Sequence, residues 1–159
     1  MAYKEDGGYV DCYFTDVVGR VSHEQFVAAF YTTAAFKIER SILKWVVSRP
    51  SSDAQAAQLA AGVVDQFAAW QVEQRGPDQL LLTDFRGSTR SWLMVAPITI
   101  NNEVGTRLYF GSAVVPVKDR NTNQAKLGLI FKALLGFHKI YSVVLLRAAK
   151  TRLLTLARR

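Results

Sequence analysis

The sequence predicts an α+β domain in which a curved antiparallel sheet wraps around a long C-terminal helix. Apolar residues recur with helical spacing early in the chain, alternate with polar residues in its middle, and return to helical spacing after Asn123. The final segment carries a wider apolar face than a surface helix needs, so other parts of the chain have to cover it. With 159 residues, the chain has the size of one domain, and we expect residues 1–159 to form a single domain.

The first predicted elements are a strand and a capped helix. Residues 9–14 are rich in aromatics and alternate loosely, which indicates a strand. Ser22 and Gln25 have the spacing of a capping box, in which each side chain bonds the backbone amide of the other residue. Phe26 and Phe30 then give the following helix one apolar side.

Two more helices and a strand are expected next. Residues 34–48 show helical spacing, and Pro50 ends that helix because the residue before a proline disfavours the α conformation. Residues 51–53 are suited to cap a short alanine-rich helix that ends at Gly62. Residues 67–75 alternate in polarity and predict one strand.

A β-hairpin is predicted after the turn at residues 76–78. Its strands are residues 79–85 and 90–98, each with a period of two. If residue 85 faces residue 90, Leu82 lies opposite Leu93.

One more strand completes the predicted sheet. Asn101 and Asn102 are turn residues, and residues 106–117 read as a strand. Gly111 within it suggests a bulge or a bend.

The segment from Asn123 to Ala157 is predicted to be helical. Gly128 and Gly136 weaken a helix, so we expect a break or kink near Gly136. Projected at about 100° per residue, a narrow basic stripe lies opposite a broad apolar side. The basic stripe consists of Lys132, Lys139, Arg147 and Lys150, and the apolar side of Leu127, Ile130, Leu134, Phe137, Tyr141, Leu145 and Ala148.

Composition indicates a soluble, globular protein of the cytoplasm. Apolar residues make up 50% of the chain and charged residues 21%. Cys12 is the only cysteine, which excludes an internal disulfide and fits a reducing compartment. Residues 1–8 hold no secretory signal, and Lys132 and His138 interrupt the apolar runs before they reach the length of a membrane span.

The net charge of +7 is concentrated at one end. Residues 120–159 hold nine basic side chains and no acidic one, whereas residues 1–119 are nearly balanced. Two interpretations stay open, a solvated helix face and an anionic membrane surface as partner. Nucleic acid is not expected, since no recognised reader motif accompanies the charge.

Two stretches carry a family resemblance. LLLTDFRGSTRSWLMVAP, residues 80–97, covers the predicted hairpin, and GLIFKALLGFHKIYSVVLLRAA, residues 128–149, covers much of the final helix. With the order of elements, they resemble the START-like helix-grip superfamily (SRPBCC), which includes polyketide cyclases and lipid-transfer domains, and a bacterial family of unknown function within it. Gly136 departs from the pattern, in which a proline is expected before Phe137. The resemblance implies a helix-grip fold and a cavity for a hydrophobic ligand, but no particular reaction.

These observations lead us to expect binding of a hydrophobic small molecule or lipid between the sheet and the C-terminal helix. No cofactor is expected. Core packing and exposed turn charges are the simpler alternative explanations for the candidate residues. The candidate ligand-binding residues are Trp70, Phe85, Arg90, Trp92, Met94, Tyr109, Phe110, Phe137, His138 and Tyr141.

An enzyme of the cyclase, dehydratase or hydrolase kind is the main alternative function. It requires His138, Asp84 or Arg90 to point into the cavity. A cystatin-like fold is the alternative architecture, although it has no place for so long an apolar final helix.

Other reactive side chains have simpler explanations. His23 reads as an exposed residue of a first helical turn, and Cys12 as a small buried apolar residue. With two histidines and no ligand spacing, a metal site is not expected.

Overall fold

A computed structural model describes residues 9–37, 51–114 and 124–157, with the backbone alone for residues 124–139 and 157. Helices and strands are mixed along the chain, so the predicted α+β class is confirmed. Residues 34–37 are helical, and the rest of the predicted helix over 34–48 lies outside the described residues. The main elements are β1 (Tyr9–Val18), α1 (His23–Tyr31), α2 (Asp53–Ala60), β2 (Gln66–Phe67), β3 (Trp70–Arg75), β4 (Gln79–Asp84), β5 (Thr89–Ile100), β6 (Glu103–Val114) and α3 (Gln124–Ala157).

The six strands form one antiparallel sheet in the order β1-β6-β5-β4-β3-β2. Strands β2 to β6 each pair with their neighbours in sequence, which is the predicted meander, and β1 joins beside β6. In the described part of the chain β1 and β2 are the two edges and do not pair with each other. The sheet is therefore not closed into a barrel.

Helix α1 begins with the predicted capping box. The Ser22 hydroxyl accepts a hydrogen bond from the Gln25 amide at 3.1 Å, and the Gln25 side-chain oxygen accepts one from the Ser22 amide at 2.9 Å. Capping satisfies amides that would otherwise lack partners and fixes the start of the helix. The helix buries Phe26, Phe30 and Tyr31 almost completely.

A second capping box begins α2. The Ser52 hydroxyl accepts from the Gln55 amide, as residues 51–53 predicted. Gly62 follows the helix with a φ of 75°, a conformation that suits glycine.

The predicted strand over residues 67–75 is divided in two. Phe67 of β2 pairs with Trp70 of β3, so Ala68 and Ala69 form a two-residue turn between them. Ala68 has a φ of 52°, which alanine rarely adopts, and the sequence therefore gave no signal for this turn. A register shift near Glu73 introduces a bulge into β3.

The predicted hairpin forms with a register that differs by two residues. Leu82 pairs with Ser91, and Leu93 pairs with Leu80. The Asp84 carboxylate accepts hydrogen bonds from the backbone amides of Ser88 (2.7 Å) and Thr89 (2.9 Å), so it closes a four-residue turn that lies one residue earlier than predicted. A shift of two keeps each side chain on its predicted face, since the side-chain period of a strand is two.

The turn between β5 and β6 is the predicted one, with positive φ values of 49° at Asn101 and 67° at Asn102. The predicted bulge at Gly111 is wrong, because β6 pairs with both neighbours without a register shift there. Gly111 instead allows close packing. An added Cβ would lie 3.0 Å from Cε3 of Trp92 and 3.3 Å from the Asp11 carbonyl.

Helix α3 spans 34 residues, so of the predicted break or kink near Gly136 the break does not occur. It packs mainly on α1 and β1. Leu145 is buried as predicted, whereas Ala148 is half-buried. No helix in the described residues is long and apolar enough to cross a membrane. Among the described side chains of α3, those that enter the core follow helical spacing and are Ser142, Leu145, Leu146, Ala149 and Leu153.

The core lies between the inner face of the sheet and the helices. Leu80, Leu82, Leu93 and Leu108 supply the sheet's contribution and have no exposed surface. Burial of each such side chain stabilises the fold by roughly 1.5–3 kcal/mol before conformational entropy is counted. An aromatic cluster with ring centroids 4.8–6.3 Å apart fills the space above them and consists of Phe26, Phe30, Tyr31, Phe36, Phe67 and Phe110.

Candidate functional site

An open groove of about 530 Å³ lies where the end of β1, the two short helices and the last turns of α3 meet. Most of its wall is apolar, and part of that wall is exposed to solvent. We call this feature the terminal groove. Its apolar lining consists of Val17, Val18, Val21, Ala28, Ala29, Ala57, Leu153, Leu154 and Leu156.

The connection from β1 to α1 forms one wall and is held to β6. The Thr106 hydroxyl accepts a hydrogen bond from the Val21 amide at 3.0 Å and donates one to the Gly19 carbonyl at 2.9 Å. The Gly19 amide donates to the Val104 carbonyl at 2.8 Å. Because both neighbours of Arg20 are bonded to the sheet, the backbone of Arg20 is well fixed.

The opposite wall is the end of α3. Leu153 is only 8% exposed and anchors the helix in the core. The adjacent Arg152 is exposed and lines the groove. Thus one arginine from each end of the chain reaches the terminal groove.

The polar groups of the terminal groove differ in how fully they are paired. Asp53 forms an ion pair with Lys37, with the Lys37 Nζ 2.6 Å from a carboxylate oxygen. Gln25 uses its side-chain oxygen in the capping box of α1. Within the described residues, Arg20 and Arg152 have no acidic group within 4 Å and no side-chain hydrogen bond. The groove therefore combines an apolar surface with two unpaired cations.

Three of the predicted ligand-binding residues lie either on the inner face of the sheet or on helix α3, which packs against the sheet. Phe110 is buried in the aromatic cluster. Trp70 and Tyr141 are half-buried and pack against the core. The indole N–H of Trp70 is buried without a hydrogen-bond partner in the described residues. Core packing accounts for Phe110, while the Trp70 indole keeps an unused donor.

Three others lie on the outer face, where they do not line the interior as predicted. Trp92 and Met94 alternate with the buried Leu93, and Tyr109 with the buried Leu108 and Phe110. The Trp92 indole donates to the Gln79 side chain at 3.1 Å, and its ring lies 6.2 Å from that of Tyr109. The interior assignment rested on aromatic content, and it placed Tyr109 on the same face as its neighbour Phe110, which the alternation of a strand does not allow.

The remaining predictions concern the hairpin and the middle of α3. Phe85 is 45% exposed in the turn, and Arg86 lies over its ring at 5.3 Å. The Arg90 Nε donates to Glu73 at 3.0 Å. The side chains of Phe137 and His138 lie outside the described residues. Asp84 thus stabilises the turn and Arg90 forms an ion pair, and in the described part of the chain neither lies in a catalytic arrangement with another candidate.

The outer face also carries an ion pair. Asp16 accepts hydrogen bonds from Nε and Nη2 of Arg107 at 2.7 and 2.9 Å. These bonds are the main cause of the lowered pKa of the Asp16 carboxyl. The same guanidinium lies 4.2 Å from the ring centre of Phe14, which is 58% exposed. This arrangement explains how so large an aromatic side chain is accommodated at the surface.

A polar cluster on the inner face was not predicted. Asp11 accepts hydrogen bonds from the Ser112 hydroxyl and from the Tyr9 hydroxyl, the latter at 3.3 Å. Desolvation is the largest cause of the raised pKa values of Tyr9 and Tyr13, and the nearby Asp11 carboxylate raises them further. The sequence signal was the alternation of residues 9–13, which places these groups on one face.

The structure corrects two other predictions. His23 is buried rather than exposed, and desolvation is the main cause of its lowered pKa. Cys12 is exposed rather than buried, yet desolvation of its thiol and the nearby Asp11 carboxylate raise its pKa. A raised pKa leaves little thiolate at neutral pH, so the arrangement does not activate Cys12 as a nucleophile. No group of three potential metal ligands occurs in the part of the chain that the structure describes.

No family model matches the sequence, and no curated protein matches it significantly. Inference about function therefore rests on the chain's own chemistry, including the apolar and cationic lining of the terminal groove.

Proposed function

We propose that the chain is a helix-grip binding module that holds a hydrophobic small molecule or lipid between its sheet and its C-terminal helix. The terminal groove carries this proposal, since it lies between the end of β1 and the last turns of α3. The order of a strand, helices, an antiparallel meander and a long helix supports the helix-grip assignment. So does the position of β1 beside β6.

The size and lining of the terminal groove suit an apolar ligand. A volume of about 530 Å³ is within the range of small-molecule sites, roughly 300–1,000 Å³. Three apolar side chains of the groove are substantially exposed, namely Val18 (57%), Leu154 (39%) and Leu156 (54%). A ligand that covers them removes apolar surface from water, which favours binding.

Native mass spectrometry and organic extraction of the purified chain test the proposal directly. We expect a co-purifying apolar molecule or, for an empty groove, saturable binding of the neutral dye Nile red. Replacing Ala57, an exposed groove residue on α2, with tryptophan fills the groove and should weaken dye binding about tenfold, equivalent to about 1.4 kcal/mol.

Ala54→Trp is the matched control, because Ala54 is exposed on the same helix but does not line the groove. Its dye affinity should equal that of the unmodified chain, and thermal melts should show that both variants fold. Absence of both a bound molecule and saturable dye binding would contradict the proposal. Equal weakening by the two variants would place the dye elsewhere.

A further inference from the structure

We propose that the terminal groove selects amphipathic anions, with an aliphatic chain on its apolar wall and a carboxylate held by Arg20 and Arg152. This inference rests on the proposed function and specifies the ligand class. Both arginines line the groove and are exposed. Within the described residues, neither has an ion-pair partner or a side-chain hydrogen bond.

The charge balance of the groove favours an anion. Among the described lining residues Asp53 is the one acid, and Lys37 neutralises it at 2.6 Å. The two arginines are therefore left with uncompensated positive charge. Arginine presents a planar fork of donors that matches the geometry of a carboxylate, and such charge-assisted hydrogen bonds are stronger than neutral ones.

The apolar wall beside these cations specifies the rest of the ligand. A surface that served only to bind a small inorganic anion would not need Val18, Leu154 and Leu156 exposed beside it. An amphipathic ligand satisfies both features, because its chain covers the apolar side chains while its head group pairs with the guanidiniums. The hydrogen bonds that fix residues 19–21 to β6 hold Arg20 in place for this contact.

The decisive comparison is between dodecanoate and dodecan-1-ol, which share a chain and differ in charge. Both are titrated into the full chain by displacement of Nile red, below the critical micelle concentration of dodecanoate and the solubility limit of dodecan-1-ol. We expect dodecanoate to bind about tenfold more tightly than the alcohol, and the difference to shrink with added salt. This comparison needs no variant, so it does not depend on how a substitution affects folding.

Variants then assign the selectivity to residues. Arg20→Gln and Arg152→Gln should each weaken dodecanoate binding about threefold and leave dodecanol unchanged, and the double variant should bind both ligands equally. Arg86→Gln is the control, because Arg86 lies in the exposed hairpin turn and does not line the groove. It should retain the full preference for dodecanoate.

The outcomes separate this inference from the proposed function. Equal affinity for the two ligands in the unmodified chain overturns anion selection and leaves apolar binding intact, whereas binding of neither ligand nor dye overturns both. Flotation with vesicles of neutral or anionic phospholipid distinguishes a free amphiphile from a bilayer surface. Association with anionic vesicles but not with dodecanoate would overturn the inference.

Discussion

His23 is enclosed where the first turn of α1 meets the sheet. Its side chain is 9% exposed, and its Nε2 has no hydrogen-bond partner in the described residues. Desolvation lowers the pKa of the imidazole most, and the nearby Arg75 lowers it further. A backbone hydrogen bond at Leu93 and the carboxylate of Asp78 oppose these effects. The folded chain thus keeps this histidine neutral at pH values where a free histidine is charged.

This lowered pKa predicts a stability that depends on pH. The ordinary pKa of histidine is 6.5, so between that value and the lower folded-state pKa the unfolded chain binds more protons than the folded chain. The free energy of unfolding should therefore fall as the pH decreases below about 6.5 and level off below the folded-state pKa. Urea denaturation across this range measures the effect.

His23→Gln should abolish that part of the pH dependence, since glutamine does not titrate. His138→Gln, which changes the chain's other histidine, is the control and should preserve it. Two results would contradict this explanation. Either the free energy of unfolding of the unmodified chain does not change with pH in this range, or only the His138 substitution abolishes the pH dependence.

The turn that joins strands β2 and β3 contains a residue with a strained backbone conformation. Ala68 adopts a φ of 52°, whereas Ala69, the other residue of the turn, does not have a positive φ. The left-handed region raises the conformational energy of a residue that has a Cβ by roughly 1–2 kcal/mol. Ala68→Gly should therefore stabilise the chain by about 1 kcal/mol, after the greater flexibility of unfolded glycine is deducted.

Ala69→Gly is the matched control. Ala69 is 6% exposed and has a backbone conformation open to alanine, so glycine there should destabilise the chain by about 1 kcal/mol. Chemical denaturation of both variants gives the two changes in the free energy of unfolding. Loss of stability in both would mean that Ala68 is not strained.

The elements that could be predicted are those with local signals. The two capping boxes needed only a serine and a glutamine three positions apart, and the Asn101–Asn102 turn needed only residues that tolerate positive φ. The register of the β4–β5 hairpin depends on Asp84 bonding amides four and five residues ahead. Hydrophobic alternation fixes faces but does not choose between registers that differ by two residues.

At the scale of the whole molecule, the site depends on contacts that no local pattern contains. Arg20 and Arg152 come from opposite ends of the chain and line the same groove only because α3 packs on α1 and β1. The concentration of positive charge after residue 119 was visible, but it did not distinguish Arg152 from its neighbours. The predicted apolar side of α3 ended at Ala148, so it did not include Leu154 and Leu156, which are exposed beside the groove.

If α3 is an integral part of the fold, a defect in its buried face should weaken the sheet as well. Leu145 is 2% exposed in the core, and Leu145→Ala should lower the free energy of unfolding by roughly 2–5 kcal/mol. Val144 is 46% exposed on the same turn, and Val144→Ala should change it by no more than about 0.5 kcal/mol.

Two probes of one denaturation experiment test whether helix and sheet unfold together. Circular dichroism follows the helices. Tryptophan fluorescence, recorded with Trp45 replaced by phenylalanine in every variant, follows the sheet, which holds Trp70 and Trp92. The two transitions should coincide in the unmodified chain and move together in Leu145→Ala, because a cooperative unit loses its contacts in one step. Helical signal lost at a lower denaturant concentration than fluorescence would show that α3 separates from the sheet first. The terminal groove, which has α3 as one wall, would then open before the core unfolds.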